Sequence, residues 1–311
     1  MMDYVTFGRT GLRVSVMGLG CGGSSRIGQG SAKTPAESVA IIQQALDAGV
    51  NFIDTAEAYQ TEALVGQALA GVDRTQVIIS TKKSYRQGIS PALVRASVTT
   101  SLRQLGTDYI DIYSLHGVAP ADYPKLRDEI LPTFVQLRAE GKIRFIGVSE
   151  MFNEDKTHQM LLDSLPDDCW DVAMIGFNIL NQTARTTALP KTIQQNVAVQ
   201  IMFAVRRSLS QPDKLRTAVQ ELIAAGQLDP TEIDPANPLG FVLAESDATS
   251  LVDAAYRFCR YEPGVHVVLS GTGDPAHLHA NIQSLCRPPL PPAVVAKLHY
   301  LFRHASAVTG Q

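Results

Sequence analysis

Short apolar runs recur along the chain and alternate with stretches in which apolar residues fall at helical spacing. The runs predict strands at residues 14–17, 51–54, 77–81, 109–115, 145–149, 172–177, 197–203 and 265–270. Most of these runs are continuous rather than alternating, which is typical of parallel strands that are buried on both faces. The spacing of the strands is that of repeated βα units.

The stretches between the strands carry the capping signals of helices. Thr34 and Glu37 form a capping box at the start of one helix. Ser90 precedes a second helix, which Gly106 ends, and Asp274 precedes a third. Strands that alternate with such helices predict an α/β fold, a (β/α)8 TIM barrel.

We expect residues 1–311 to form a single domain with an insertion between the seventh and eighth strands. The insertion contains helical stretches at 212–225 and 248–261 around a proline-rich loop at 229–240. Its position after strand seven suggests that the segment 208–263 covers the catalytic face as a lid or substrate wall. A proline-rich break then precedes a C-terminal helical extension.

Composition and charge narrow the class of protein. Hydrophobic residues make up 45% of the chain and charged residues 18%, which indicates a globular rather than a disordered protein. The net charge is −3 and no Lys/Arg-rich block occurs, so we expect neither nucleic acid nor a membrane as a partner. The four cysteines lack CxxC spacing and no signal-peptide pattern is present. These features predict a cytoplasmic protein with reduced cysteines and no metal site.

Two glycine-rich segments are candidates for approaching a phosphate group. Residues 18–23 match G-x-G-x-x-G, the motif of a Rossmann dinucleotide site. That site needs a helix that begins within the motif, whereas the next predicted helix begins only at Thr34, which argues against it. Close approach of the backbone to a ligand explains these glycines better. Residues 270–275 join the last strand to a helix, where barrels often bind phosphate. The alternative is an ordinary glycine turn that Asp274 caps.

Four polar residues, Asp54, Tyr59, Lys82 and His116, stand at or just beyond the ends of three successive strands. In an α/β barrel the C-terminal strand ends converge on the face that carries the chemistry. A lysine held by a carboxylate would lower the pKa of the phenol, and the imidazole would orient a carbonyl or relay a proton. Each residue alone has an ordinary structural interpretation, but together they predict a proton-transfer site.

At these residues the chain resembles the aldo-keto reductase family. Residues 7–15 and 51–59 look like the family's N-terminal signature, residues 105–116 match its fourth-strand motif, and residues 141–149 are similar to its fifth-strand motif. The resemblance implies a barrel that binds NADP(H) across the strand ends and exchanges hydride with an aldehyde, ketone or aldose. It also assigns the four polar residues above as a catalytic tetrad.

The resemblance further implies where the cofactor binds. The expected contacts are Gly20, Ser149, Glu150, Met174, Phe203, Arg206, Arg207, Ser270, Gly271, Thr272, His277 and Asn281. Phe203 would stack on the nicotinamide, and Arg206, Arg207 or His277 would supply charge to a 2′-phosphate, which favours NADP(H) over NAD(H).

The chain departs from the family pattern at several of these positions. Glu150 and Met174 replace an Asn and a Gln that commonly hold the nicotinamide carboxamide, and Gly271 and His277 replace a basic pair. The main alternative function is a nicotinamide-binding redox sensor on the same fold, although an intact tetrad favours an enzyme. The expected partner is a small carbonyl compound or alcohol. The sequence specifies neither the particular substrate nor the oligomeric state.

Overall fold

The strands form a two-stranded hairpin and a closed parallel barrel in the computed structural model, which describes residues 1–311. The hairpin strands are β1 (Tyr4–Phe7) and β2 (Leu12–Ser15). The barrel strands are β3 (Met17–Gly20), β4 (Phe52–Asp54), β5 (Ile78–Ser84), β6 (Ile110–Val118), β7 (Ile143–Glu150), β8 (Val172–Gly176), β9 (Ala198–Met202) and β10 (Val267–Ser270). They follow chain order around the barrel, and β10 pairs with β3. This arrangement confirms the predicted (β/α)8 barrel.

The hairpin closes the N-terminal end of the barrel. Phe7, Leu12 and Val14 share one apolar cluster with buried residues of the barrel strands. The ring of Phe7 packs edge-on against Phe52, with the ring centroids 5.4 Å apart. Because this end is filled, the C-terminal strand ends are the open face of the barrel.

The first barrel strand was predicted at residues 14–17, and that prediction is wrong. Residues 12–15 pair antiparallel with β1, and the barrel strand begins only at Met17. The strand β3 contains two glycines, which have a low strand propensity, so the hydrophobic pattern does not predict a strand there. Gly18 is needed there because a Cβ would lie within 3 Å of three side chains on β4 and β10.

Helices surround the barrel and fill the insertion and the C-terminal extension. They are α1 (Pro35–Asp47), α2 (Glu62–Ala68), α3 (Pro91–Leu105), α4 (Tyr123–Glu129), α5 (Leu131–Ala139), α6 (Gln159–Ser164), α7 (Thr183–Thr186), α8 (Ala188–Gln194), α9 (Arg207–Ser210), α10 (Pro212–Ala224), α11 (Gly240–Ala244), α12 (Leu251–Arg260), α13 (Pro275–Leu285) and α14 (Pro292–Leu301). The capping box of Thr34 with Glu37, the cap at Ser90 and the left-handed C-cap at Gly106 are all present. None of the helices has the length and apolarity needed to cross a bilayer.

The insertion between β9 and β10 reaches the catalytic face with its two ends, not with its middle. Ser210, Gln211, Val252 and Tyr256 line the cleft described below. No residue of the loop 229–240 lines this cleft, and Glu232 instead accepts a hydrogen bond from Tyr300 of α14. The expectation that the segment 208–263 forms a wall of the cleft therefore holds for its two ends. It is wrong for the proline-rich loop 229–240, which packs against the C-terminal extension.

Candidate active site

A buried ion pair joins two neighbouring barrel strands. Asp54 ends β4 and Lys82 lies in β5, and both side chains are almost completely buried. The Nζ of Lys82 donates to Asp54 Oδ2 and to the carbonyl of Thr55, each at 2.7 Å. Ser80 Oγ donates to the second carboxylate oxygen at 2.9 Å. Both buried charges thus have the pairing and the extra hydrogen bonds that such a pair requires.

A phenol and an imidazole meet beside this pair. Tyr59 ends the 3-10 turn Glu57–Tyr59, and His116 lies in β6. Its Nε2 lies 3.2 Å from the hydroxyl of Tyr59, and the two rings pack edge to face. The Nζ of Lys82 lies 5.2 Å from the centroid of the Tyr59 ring. The structure therefore brings the four residues of the predicted tetrad together.

Burial has a strong effect on the protonation of these groups. It raises the pKa of Tyr59 above the ordinary phenol value, although the charge of Lys82 acts in the opposite direction. It also lowers the pKa of His116 to about 3, with help from the charge of Lys82, so the imidazole is neutral near pH 7. The expectation that Lys82 brings the phenol pKa below its ordinary value is wrong for this structure, because desolvation of the phenolate outweighs the ammonium.

Asp54 and Lys82 each favour the charged form of the other. Burial disfavours the ammonium of Lys82, but the pKa of Lys82 is raised, with the carboxylate of Asp54 as the largest influence that opposes burial. Burial raises the pKa of Asp54, and Lys82 opposes the shift. A lysine held charged in this way provides a fixed positive potential beside the phenol.

The glycines around the end of β3 make room for the protein's own atoms. A Cβ on Gly22 would lie 2.4 Å from the ring of Tyr59, and a Cβ on Gly271 would lie 2.6 Å from the carbonyl oxygen of Gly20. The next α-helix begins only at Pro35, so the arrangement of a Rossmann site is absent, as the sequence indicated. These glycines therefore set the position of the phenol and of the loop after β10.

A cleft of about 930 Å³ extends from the tetrad to the loop after β10. This volume lies near the upper end of the range of about 300–1,000 Å³ for small-molecule sites. The expected cofactor contacts that line it are Gly20, Ser149, Glu150, Met174, Phe203, Arg206, Arg207, Gly271, Thr272, His277 and Asn281. Ser270 is buried behind this wall, where its hydroxyl accepts hydrogen bonds from Tyr256 and Asn281, each at 2.9 Å.

The loop after β10 has the contacts of a capped helix start. The side chain of Asp274 accepts hydrogen bonds from the backbone of Ala276 at 2.7 Å and of His277 at 3.2 Å. The backbone bonds from His277 and Ala276 also lower the pKa of Asp274. The hydroxyl of Thr272 accepts from the Asp274 backbone at 3.0 Å. These bonds match the alternative of an ordinary glycine turn that Asp274 caps. Because Asp274 already accepts from two N–H groups at the start of α13, fewer of these groups are free to bind an anion.

Glu150 and Met174, which depart from the family pattern at the nicotinamide end, have different surroundings. The buried carboxylate of Glu150 accepts from the backbone of Gly176 at 2.7 Å and lies 2.9 Å from His158 Nδ1. Burial raises the pKa of Glu150, whereas His158 acts to lower it. Met174 pairs with Ser149 across β7 and β8 and presents an apolar side chain to the cleft. The oxygens of Glu150 are therefore used within the protein, and Ser149 is the hydroxyl left at this end.

Sequence reasoning missed two polar side chains near the site. Arg26 donates from Nη2 and Nε to the carbonyl of Tyr59, at 2.8 and 3.1 Å, and so fixes the backbone of that residue. Arg26 has a positive φ of 43°, and no pattern in the sequence signals this loop geometry. Gln200 is fully buried on β9 in register with Met174, and its amide has no partner in the protein. Gln200 could have been predicted as a candidate because it is the one amide within the apolar run 197–203.

With the barrel and the cluster at its open end described, comparisons with known proteins identify the family. A sequence model of the aldo/keto reductase family matches residues 18–301. The chain is 30% identical over 232 residues to an NADH-specific methylglyoxal reductase of Escherichia coli, an alignment that covers 67% of this chain and 69% of that protein. It is 33% identical over 181 residues to L-galactose dehydrogenase of Arabidopsis thaliana, which corresponds to 56% of each chain.

A solved structure extends the similarity to the whole fold. An aldo-keto reductase from Bacillus halodurans in its holo form shares 25% identity, and the two structures superpose with a TM-score of 0.73 over 100% of both chains. The chain belongs to the aldo/keto reductase family. It is therefore an oxidoreductase that reduces carbonyl compounds with a nicotinamide cofactor.

Proposed function

We propose that this protein reduces the carbonyl group of an aldehyde, ketone or aldose with NADP(H), and that Tyr59 donates the proton. The observation that carries the proposal is the contact of 3.2 Å between Tyr59 and His116 beside the buried pair of Lys82 and Asp54. This cluster opens into the long cleft, so a carbonyl group in the cleft has a proton donor within reach.

Each tetrad residue has a separate task in this mechanism. When bound, the nicotinamide supplies the hydride for the carbonyl carbon. Tyr59 holds the proton that the carbonyl oxygen takes up, and its raised pKa keeps that proton in place near neutral pH. Lys82, held by Asp54, stabilises the phenolate that remains after the transfer. The neutral imidazole of His116 orients the carbonyl or relays a proton.

The walls of the cleft suggest how the cofactor lies. Ser149 and Phe203 would contact the nicotinamide, whereas Gly271, Thr272 and Asn281 would contact the phosphate and adenine end. These residues come from different parts of the cleft wall, which are β7 for Ser149, the position directly after β9 for Phe203, the loop after β10 for Gly271 and Thr272, and α13 for Asn281.

We favour NADP(H) over NAD(H) because three basic side chains, Arg206, Arg207 and His277, line the cleft and can supply charge to a 2′-phosphate. The E. coli relative is named as NADH-specific, so the preference has to be measured on this chain. In a titration of cofactor fluorescence, NADPH should bind more tightly than NADH. Equal or reversed affinities would remove the preference and leave the reductase assignment intact.

Turnover with a panel of aldehydes, ketones and aldoses tests the function itself. We expect oxidation of NADPH that depends on the carbonyl compound and follows saturation kinetics for at least one class. Binding of cofactor without turnover of any member of the panel would instead favour the nicotinamide-binding sensor.

A further inference from the structure

The loop between β3 and α1, residues 21–34, holds the backbone of Tyr59 through the side chain of Arg26. The carbonyl oxygen of Tyr59 accepts hydrogen bonds from Nη2 and Nε of Arg26, at 2.8 and 3.1 Å, and no backbone N–H donates to it. Nη2 also donates to the side-chain oxygen of Gln60 at 3.4 Å. Arg26 does not line the cleft. Its guanidinium therefore serves the segment that carries the phenol.

The loop itself has a backbone that its surroundings determine. Ile27 is fully buried in the large apolar cluster although its φ is 55°, and the φ of Arg26 is 43°. A β-branched residue adopts such a backbone only where the surrounding structure imposes it, and these conformations concentrate at functional sites. A Cβ on Gly273 would lie 2.4 Å from Cα of Gly28, so the loop after β10 packs directly against this loop. The guanidinium of Arg26 is thus anchored on a fixed backbone.

The same loop contacts the ring of Tyr59 as well as its carbonyl. A Cβ on Gly22 would lie 2.4 Å from the ring, so the ring lies against the backbone of the loop. Tyr59 ends a 3-10 turn of three residues, which lacks a side-chain cap and is followed by Gln60 with a φ of 58°. So short a turn makes few hydrogen bonds of its own. Its position depends on contacts from outside, and the loop supplies two of them.

We propose that Arg26 is a positioning residue of the reductase, which fixes the phenol of Tyr59 where proton transfer to the substrate requires it. The inference rests on the proposed role of Tyr59 as the proton donor. Arg26 acts through the carbonyl of Tyr59 and not through a bound ligand. A donor must lie within hydrogen-bond reach of the atom that takes up its proton, so a small displacement of the phenol lowers turnover steeply.

Arg26→Ala tests the proposal in the complete chain, because it removes both donors to the Tyr59 carbonyl. We expect kcat for carbonyl reduction to fall by on the order of 10- to 100-fold, as for a misplaced catalytic group. KM for the carbonyl compound and the affinity for NADPH should change by less than about twofold. Arg26→Lys keeps one charged donor and should retain part of the turnover that Arg26→Ala loses.

Arg9 provides a matched control at the closed end of the barrel. It lies in the turn Gly8–Thr10 between β1 and β2, and its Nε and Nη2 both donate to the carbonyl of Gln195. Arg9→Ala therefore removes the same kind of contact, two guanidinium donors on one backbone carbonyl. It should lower the thermal midpoint as Arg26→Ala does, but leave kcat unaltered. The comparison separates a loss of positioning from a loss of stability.

The double variant Arg26→Ala/Tyr59→Phe tests whether the effect passes through the phenol. Tyr59→Phe keeps the ring and the backbone but has no hydroxyl to position, so adding Arg26→Ala should change its residual kcat by less than about twofold. A full additive loss would show that Arg26 supports the fold in general and would overturn the proposal. An Arg26→Ala variant that keeps its kcat, or that loses only cofactor affinity, would also overturn it.

Failure of this inference differs from failure of the proposed function. Loss of turnover in Tyr59→Phe with normal kcat in Arg26→Ala would overturn the role of Arg26 while the proton donor stands. A fully active Tyr59→Phe variant would overturn the proposed proton donor, and the role of Arg26 with it. Absence of turnover in the unaltered protein with every carbonyl compound would have the same consequence.

Discussion

Tyr59 has a raised pKa because its phenol is enclosed, and this has a direct consequence for the pH dependence of the reaction. Reduction needs the protonated phenol, which persists below its pKa. We therefore expect kcat/KM for reduction to stay level up to about pH 10, the ordinary phenol value. Oxidation of an alcohol needs the phenolate and should accelerate as the pH rises. Steady-state rates in both directions from pH 6 to 10 test this, and a reduction rate that falls with an apparent pKa near 7 would contradict it.

His116 links the same site to the stability of the fold. Its pKa is about 3 in the folded protein and about 6.5 when unfolded, so between these values only the unfolded state binds the proton. The contribution of His116 to the free energy of unfolding should therefore be complete above about pH 6.5. It should decline toward pH 3, by up to about 1.4 kcal/mol per pH unit. Urea unfolding of His116→Gln should show a smaller decline over this window. An unchanged slope would show that His116 titrates normally in the folded state.

The residues of the tetrad could be predicted from the sequence because strand ends fix where their side chains meet. The contact of Arg26 with the carbonyl of Tyr59 could not, since it depends on a left-handed backbone in the loop before α1. The shift of the phenol pKa was also missed. A sequence indicates which charges are neighbours, but the degree of enclosure that decides between them is a property of the fold.

Individual elements show where a hydrophobic pattern succeeds and where it fails. The helices α1 and α3 begin at their predicted caps, because a cap is a local interaction within a few residues. The strand β3 was misplaced because its glycines serve contacts with distant strands. The loop 229–240 was misjudged for the same reason, since its partner Tyr300 lies about seventy residues further along the chain.

Because the loop 229–240 packs against the C-terminal extension, we expect its fully buried residue Leu239 to contribute to stability rather than to substrate binding. Leu239→Ala should lower the free energy of unfolding by about 2–5 kcal/mol, the usual cost of such a cavity, and should leave KM for the carbonyl substrate unchanged. Gln211→Ala alters a residue that lines the cleft and should change KM instead. Chemical denaturation and steady-state kinetics of both variants provide the measurement. A changed KM with normal stability in Leu239→Ala would restore the loop as a substrate wall.

For the whole molecule, the barrel could be predicted because its strands are continuous apolar runs separated by well-capped helices. What joins these elements into one body is a single apolar cluster that includes residues from Met2 to Val308. We propose on this basis that residues 1–311 form one domain. Calorimetry should then show one cooperative transition, which moves to higher temperature with the bound cofactor. Two separable transitions would divide the chain and contradict the proposal.

The most direct test of the central claim is the turnover of Tyr59→Phe, which removes the phenol hydroxyl and keeps the ring. We expect kcat for carbonyl reduction to fall by on the order of 10²–10⁴, the usual contribution of acid–base catalysis. NADPH affinity should be nearly unchanged. Tyr113→Phe is the matched control, because the hydroxyl of this buried tyrosine donates its hydrogen bond to Ser97 of α3, away from the cleft, and its loss should leave kcat unaltered. A Tyr59→Phe variant that keeps most of its reductase activity would show that another group donates the proton.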